Sequence, residues 1–255
     1  LGQAACTSLQ SERLMLQALI FDVDGTLADT EAAHLAAFNR AFAEEGRDWN
    51  WSVPEYTRLL EISGGKERIL HYWKQVQPDL VDFGAGVADT VAHLHELKTS
   101  FYEQAVHAGA VQLRPGVLDL IESAHAVGLT LAIATTTSPT NVAALLRTAL
   151  GEDWHSRFAV IEDASTAPHK KPHPQVYEQT LQRLGLPASA CLVFEDSANG
   201  LQAARAAGLP VVITSNSFTA HHDFTGALRV LPDLSQVTLQ DVQAWHAEAV
   251  AGRSA

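Results

Sequence analysis

Cysteine is almost absent from this chain. Cys6 and Cys191 are the only two, far apart and in no metal-ligand spacing, which argues against a disulfide framework and points to a reducing compartment. Cys191, leading into an apolar run, reads as a small core residue. Basic charge is scarce as well: 17 Lys and Arg stand against 29 Asp and Glu, a formal net charge of −12. No basic field exists to gather a nucleic acid, so any phosphate site must be built locally. No uninterrupted apolar run approaches the ~20 residues of a membrane span, and the opening LGQAACTSLQSER lacks the basic start and apolar core of a secretory signal. A cytosolic monomer without membrane or nucleic-acid partners is expected. The single methionine, Met15, stands just before the first strand pattern, so residues 1–14 are taken as an N-terminal extension; as a processed leader they would move the expected compartment to the plastid stroma.

What is present is an alternating α/β pattern. Apolar, β-rich runs at Leu16–Val23, Leu129–Thr135, Cys191–Glu195 and Pro210–Thr214 read as strands buried on both faces. Helical patterns at Val117–Ala126, Thr140–Leu150, Pro174–Leu184 and Gly200–Ala207 fill the gaps, and Gly128, Gly185 and Gly208 stand where helices should end. Such alternation predicts a doubly wound, Rossmann-like parallel sheet, and 255 residues suffice for its core. Residues 32–110 break the pattern, being helical, aromatic-rich and without a buried strand. They are expected to form an inserted helical cap domain, with Trp49 and Trp51 packing inside it, on a core made of 15–31 and 111–255. Arg114-Pro115-Gly116 marks the return to the core, and the polar end after Gln236 shows no pattern.

The segment Leu19-Ile20-Phe21-Asp22-Val23-Asp24-Gly25-Thr26-Leu27 carries the chemistry. Strand side chains alternate, so Asp22 and Asp24 emerge on one side, at the carboxyl end of a strand where parallel sheets bind ligands. An Asp-Gly turn would explain an isolated pair. Asp-x-Asp-Gly-Thr, however, occurs by chance in a chain of this length with a probability of order 10⁻³.

This segment resembles the first motif of the haloacid dehalogenase superfamily, and three further motifs follow in order: Thr135 after Leu131-Ala-Ile-Ala, Lys171 in Lys170-Lys171-Pro172-His173-Pro174, and Phe194-Glu195-Asp196-Ser197, continued by Asn199 and Gly200. The resemblance implies a phosphatase. Asp22 would attack phosphorus and Asp24 would act as general acid and base, with a pKa above the ordinary ~3.9. Thr135 would hydrogen-bond the phosphoryl group and Lys171 would neutralise charge around it. Mg²⁺ would be held by Asp22, Asp24, Asp196 and Glu195, hard oxygen donors that suit it. Taken singly, Thr135 suits any strand, a Lys pair before Pro suits a turn, and Asp196 or Ser197 suits a helix cap.

At finer resolution the chain resembles the CbbY branch, described as phosphatases of xylulose 1,5-bisphosphate, an inhibitory by-product of Rubisco. The resemblance rests on Phe21 to Glu31, Gly64 to Ile69, Leu113 to Gly116 and Ala134 to Ser138. It implies a small phosphorylated sugar as substrate, contacted by Glu31, His34, Tyr56, Gly64, Gly65, Lys66, Glu67, Arg68, Arg114, Thr136, Thr137 and Ser138. Lys66 and Arg68, on a flexible turn, suit a second phosphate; His34 could equally lie at the surface or the core edge, and Arg114 could simply hold the hinge. The other histidines, including His93, His95, His221 and His222, lack metal-ligand spacing and are expected at the surface.

Three rivals share the fold. A β-phosphoglucomutase-like mutase would return the phosphoryl group to sugar; by resemblance, mutases often carry Val where Thr26 stands. A catalytically silent binding or regulatory module is opposed by intact Asp22, Asp24, Lys171 and Asp196. A dehalogenase would leave the second Asp and the metal-type acids unexplained.

Overall fold

A computed structural model describes residues 15–80 and 85–252. The expected extension at 1–14 and Cys6 lie outside the described residues.

Six parallel strands form one sheet in the order β3-β2-β1-β4-β5-β6. They are β1 (Ala18–Phe21), β2 (Thr130–Ala134), β3 (Val160–Glu162), β4 (Cys191–Glu195), β5 (Val211–Thr214) and β6 (Arg229–Leu231). Strand alternation divides the core. Leu19, Phe21, Leu131, Ile133, Leu192 and Phe194 pack on one face with Leu120, Ile121, Leu145 and Val242. Ala18, Ile20, Ala132, Cys191 and Val193 pack on the other with Val176, Tyr177, Leu201 and Ala204. The four residues of β1 have no exposed surface, which explains the uninterrupted apolar run. Register then positions the chemistry: Phe21 pairs with Ile133 on one side and Phe194 on the other, and the Asp22 N–H donates to Phe194 O at 3.0 Å. Asp22, Thr135 and the Glu195-Asp196 pair therefore leave the sheet together at its carboxyl edge.

Four helices follow β1 among the described residues before the core resumes: α1 (Glu31–Glu44), α2 (Val53–Leu59), α3 (Gly65–Val76) and α4 (Ala85–His107). They enclose a separate cluster of Phe38, Phe42, Trp51, Tyr56, Ile69, Tyr72, Trp73 and Leu94, with Trp49 against it. No strand occurs between Glu31 and Gly109 among the described residues. The core helices are α5 (Val117–Ala126), α6 (Pro139–Leu150), α7 (Gln175–Leu184), α8 (Ala198–Ala206) and α9 (Leu239–Ala251).

Four elements depart from expectation. The strands β3 and β6 are three-residue edge strands; in β6 the central Val230 is half exposed, so no apolar run announces it. The end after Gln236 is the helix α9, opened by a reciprocal capping box in which Thr238 and Asp241 satisfy each other's backbone N–H. Its sequence looks polar because only Val242 and His246 are fully buried. The turn expected at Ile62–Ile69 is also shorter: Gly64 caps α3, and Lys66 to Arg68 lie in its first turn.

Candidate active site

Asp22 is buried at the sheet edge, and one cation reaches it from below. Lys171 Nζ donates to Asp22 Oδ1 at 2.7 Å, to Glu195 Oε1 at 2.6 Å and to Ala134 O at 2.9 Å. Glu195 is fully engaged: Oε1 also accepts from the Tyr177 hydroxyl at 2.6 Å, and Oε2 accepts from Asp196 N at 3.1 Å and Ser197 Oγ at 3.4 Å. Such packing needs glycine over it, because a Cβ at Gly200 would stand 1.9 Å from the Glu195 carboxyl carbon. Gly25 is needed for two reasons: its φ is +76°, and a Cβ would lie 2.3 Å from Asp196 Oδ2. That oxygen accepts from Asn216 Nδ2 at 2.8 Å.

The carboxylate oxygens of Asp22, Glu195 and Asp196 lie within 4.8 Å of one another. Burial raises the Asp22 carboxyl to about 7, Glu195 adding to the rise and Lys171 opposing it. Asp196 is pushed well above its ordinary value by burial and by Glu195 and Asp22. Burial would lower Lys171, but its two carboxylate partners more than offset that and hold it above the usual range. Three buried acids against one lysine leave negative charge unmatched, and hard oxygen donors in this number fit a divalent cation such as Mg²⁺. Glu195 has its four acceptor positions occupied, so Asp22 and Asp196 are the residues with lone pairs to give a metal, and Glu195 fixes both. The fourth expected ligand, Asp24, is not in this group. Its side chain turns away to His34.

A consequence follows for stability. A carboxyl raised from 3.8 to about 7 on folding keeps in the native state a proton that the unfolded chain has already lost, so stability falls as pH rises through that window. A divalent cation held by the ionised acids opposes this loss. The gain in Tm on adding Mg²⁺ to chelator-treated protein should therefore grow between pH 5 and pH 8; a gain independent of pH would place the metal elsewhere.

Asp24 differs from expectation. Burial would raise its carboxyl, but His34, whose Nε2 lies 2.9 Å from Asp24 Oδ1, and Lys98 hold it below the ordinary carboxylate range. His34 is itself lowered by burial and by Lys98, with Asp24 opposing; its Nε2–H donates to the Asp24 carboxylate, and its ring stacks on Tyr102 with 4.0 Å between centroids. It is thus a buried residue at the cavity wall and the partner of the second aspartate.

Above these groups opens a cavity of about 680 Å³. Asp22, Asp24, Lys171, Glu195 and Asp196 form its floor. Thr135 to Ser138 line the core side, with Thr135 Oγ1 accepting from Thr137 N at 3.3 Å and Ser138 capping α6. Glu31, His34 and Gly64 to Arg68 line the helical side. Two expected contacts do not line it. Tyr56 is buried and donates to Glu31 Oε2 at 2.6 Å, so it positions Glu31. Arg114 is buried behind the site, where its guanidinium donates to the carbonyls of Gly25, Thr214, Ser215 and Pro232 and its Nε pairs with Asp29 Oδ1 at 3.3 Å; it ties loops together and has no donor left to offer a ligand. Arg68 is also engaged, donating to Leu59 O and Ile62 O.

The structure adds residues that were not expected. Lys98 is buried against the cavity, lowered by burial to about 8, with Nζ 5.1 Å from the Phe38 ring and 5.2 Å from that of Tyr102. A sequence signal existed: Val91, Leu94, Lys98, Tyr102 and Val106 form the buried stripe of α4, and a lysine in an apolar stripe is out of place. His95 and His222 line the cavity instead of the surface, and His222 Nδ1 accepts from Ala198 N at 3.2 Å. His93, in contrast, is exposed beside Glu45.

The family model of haloacid dehalogenase-like hydrolases matches residues 16–208. Protein CbbY from Cupriavidus necator is 58% identical over 219 residues, 86% of each chain. The crystal structure of a substituted CbbY from Rhodobacter sphaeroides in complex with xylulose 1,5-bisphosphate superposes with a TM-score of 0.83 at 39% identity, covering 90% of this chain and all of that one. A β-phosphoglucomutase from Clostridium difficile shares the fold, with a TM-score of 0.75 at 21% identity over 93% of this chain and all of that one. The motifs in their order, the buried Asp22–Lys171 pair beneath the cavity and the match over most of the chain agree: this chain belongs to the haloacid dehalogenase-like hydrolases and is a phosphatase.

Proposed function

We propose that the protein hydrolyses a small sugar bisphosphate, xylulose 1,5-bisphosphate, through a phosphoaspartate on Asp22. The observation that carries this reading is a cavity with acids and a single lysine at its floor and further cations, Lys66, Lys98 and Lys170, around its walls. A phosphoryl group fits the floor beside a metal, and a second anion fits the walls. The CbbY complex with this sugar supports the choice of substrate.

An oxygen of the Asp22 carboxylate attacks phosphorus, and the bond from phosphorus to the sugar oxygen breaks. The leaving alkoxide takes a proton from Asp24. Water then attacks the phosphoaspartate, gives its proton to Asp24, and the bond between phosphorus and Asp22 breaks to release phosphate. Bound Mg²⁺ would offset the charge of the phosphoryl oxygens. Hydrogen-bonded to His34, Asp24 is in the state that accepts the proton of water. Once it swings from His34 to the leaving oxygen, the largest contact that lowers it is gone and burial weighs more against Lys98, which suits the acid of the first half. Helices α1–α4 act as a cap that keeps bulk water from the intermediate.

The Thr26 hydroxyl donates to Asp22 Oδ2 at 3.3 Å. It offers a partner for water next to the intermediate, which a valine would not, and so favours hydrolysis over phosphoryl return. Phosphate release from xylulose 1,5-bisphosphate, ribulose 1,5-bisphosphate and β-glucose 1-phosphate, with and without Mg²⁺ and with products identified, tests the reading. Selective, metal-dependent hydrolysis of the first is expected; conversion of β-glucose 1-phosphate to glucose 6-phosphate would make the protein a mutase.

Lys66→Ala should raise KM for the bisphosphate by about tenfold to a hundredfold, the worth of one charge-assisted contact, while a simple aryl phosphate should show little change. Equal losses on both substrates would assign Lys66 to cap folding or closure.

A further inference from the structure

Asn199 lies three residues beyond Asp196, in the first turn of α8, yet it is not among the residues lining the cavity. Its amide instead crosses to the helical segment: Nδ2 donates to Glu61 O at 2.9 Å and to Ser63 Oγ at 3.2 Å. Glu61 O can only accept, so the NH₂ group must face it. The loop that receives these bonds carries Ser63 and Gly64, both lining the cavity, and leads directly into Lys66. From its other side the same loop is held by Arg68, which donates to Leu59 O and Ile62 O. A second link runs parallel. Asn216, the donor to Asp196 Oδ2, accepts from Phe218 N at 2.9 Å, and the Phe218 ring meets Tyr56 edge-on at 6.0 Å between centroids. Tyr56 in turn holds Glu31. Both core-to-cap links therefore start within a few residues or one hydrogen bond of the same acid.

We propose that Asn199 is a positioning residue that latches the cap loop onto the core in the closed state, setting Ser63 to Lys66 at the distance from Asp22 that the substrate's far end requires. This rests on the reading of α1–α4 as a cap and not on which sugar phosphate is bound. A donor is what the latch needs. In Asn199→Asp the side chain keeps its shape and, near the start of a helix, is favoured by the helix dipole, but it sets an acceptor against the Glu61 carbonyl.

The experiment compares the full-length protein with Asn199→Ala, Asn199→Asp and Ser63→Ala. Radius of gyration is measured by small-angle scattering with and without inorganic phosphate and Mg²⁺; kcat and KM are measured for xylulose 1,5-bisphosphate and for an aryl phosphate too small to reach the cap loop. Asn199→Ala and Asn199→Asp should stay more extended than wild type in the presence of phosphate. Their KM for the bisphosphate should rise about tenfold, the equivalent of one hydrogen bond, with aryl phosphate turnover unchanged and Tm unchanged or higher for the Asp variant. Ser63→Ala, which keeps the bond to Glu61, should shift less. Wild-type scattering and kinetics in Asn199→Asp would overturn the latch, as would equal losses on both substrates with a lowered Tm. Failure of the wild type to hydrolyse the bisphosphate would count against the substrate alone, since scattering tests the latch without it.

Discussion

Asp22→Asn should lower turnover by about four orders of magnitude or more, the scale seen when a covalent nucleophile is removed, while the fold stays intact. The second half follows from the site's electrostatics. Burial already favours the uncharged form of Asp22, and asparagine reproduces that form in nearly the same volume. Lys171 keeps Glu195 and Ala134 O as acceptors. In the absence of metal the variant should therefore unfold only slightly above the wild type at pH 5 and further above it at pH 8, because the wild type loses stability as pH rises from the unfolded carboxyl's 3.8 to about 7. Phosphate release and thermal unfolding at both pH values check the two halves separately. Activity within tenfold of wild type would mean that water attacks phosphorus directly, and the covalent mechanism would fail. Asp24→Asn offers the internal contrast: the nucleophile remains, so phosphoprotein should accumulate where Asp22→Asn forms none.

How much of this was legible in the residues depended on how locally each feature is encoded. The central strands announced themselves because β1, β2, β4 and β5 are buried on both faces, and their carboxyl ends carried Asp22, Thr135, Glu195 and Asp196 into one place by register alone. Lys171 was legible as a motif, but its reach to two carboxylates spans 149 and 24 residues and depends on how the loop before α7 folds. Edge strand β6 left no run to detect, and β3 sits at the end of a run of only four apolar residues, Phe158 to Ile161. The residues assigned wrongly share one trait: their partners come from elsewhere in the chain. Arg114 was read as a substrate contact through the resemblance, with holding the hinge as the alternative, and only tertiary structure brings the carbonyls of Gly25, Thr214, Ser215 and Pro232 around it. The expected rise in the Asp24 pKa followed from catalytic need alone; it did not include His34 and Lys98, the second of which arrives from α4. Lys98 itself was detectable, since its place in the apolar stripe of α4 needs no knowledge of the fold.

Lys171→Met should have the largest effect on stability. It leaves Asp22, Glu195 and Asp196 within 4.8 Å of one another with no buried cation, and removing one partner from a buried ionic group costs about 3–5 kcal/mol. For a chain of this size that is on the order of 10 °C in Tm. The loss should be largest in chelator at pH 8 and shrink toward pH 5, because the acids, already raised by burial, then bind protons that remove their repulsion. Mg²⁺ should restore much of the Tm at pH 8 by neutralising the same acids. It should not restore turnover, because Lys171 also orients Asp22 through a 2.7 Å bond to Oδ1, and neutralising the charge does not replace that hold; kcat should stay at least about a hundredfold down, consistent with loss of an orienting contact at a reacting atom. Thermal unfolding and phosphate release measured on the same samples, with and without Mg²⁺, separate the two roles. Recovery of both together would make the lysine a charge balance only, whereas recovery of Tm alone assigns it to holding the nucleophile for attack.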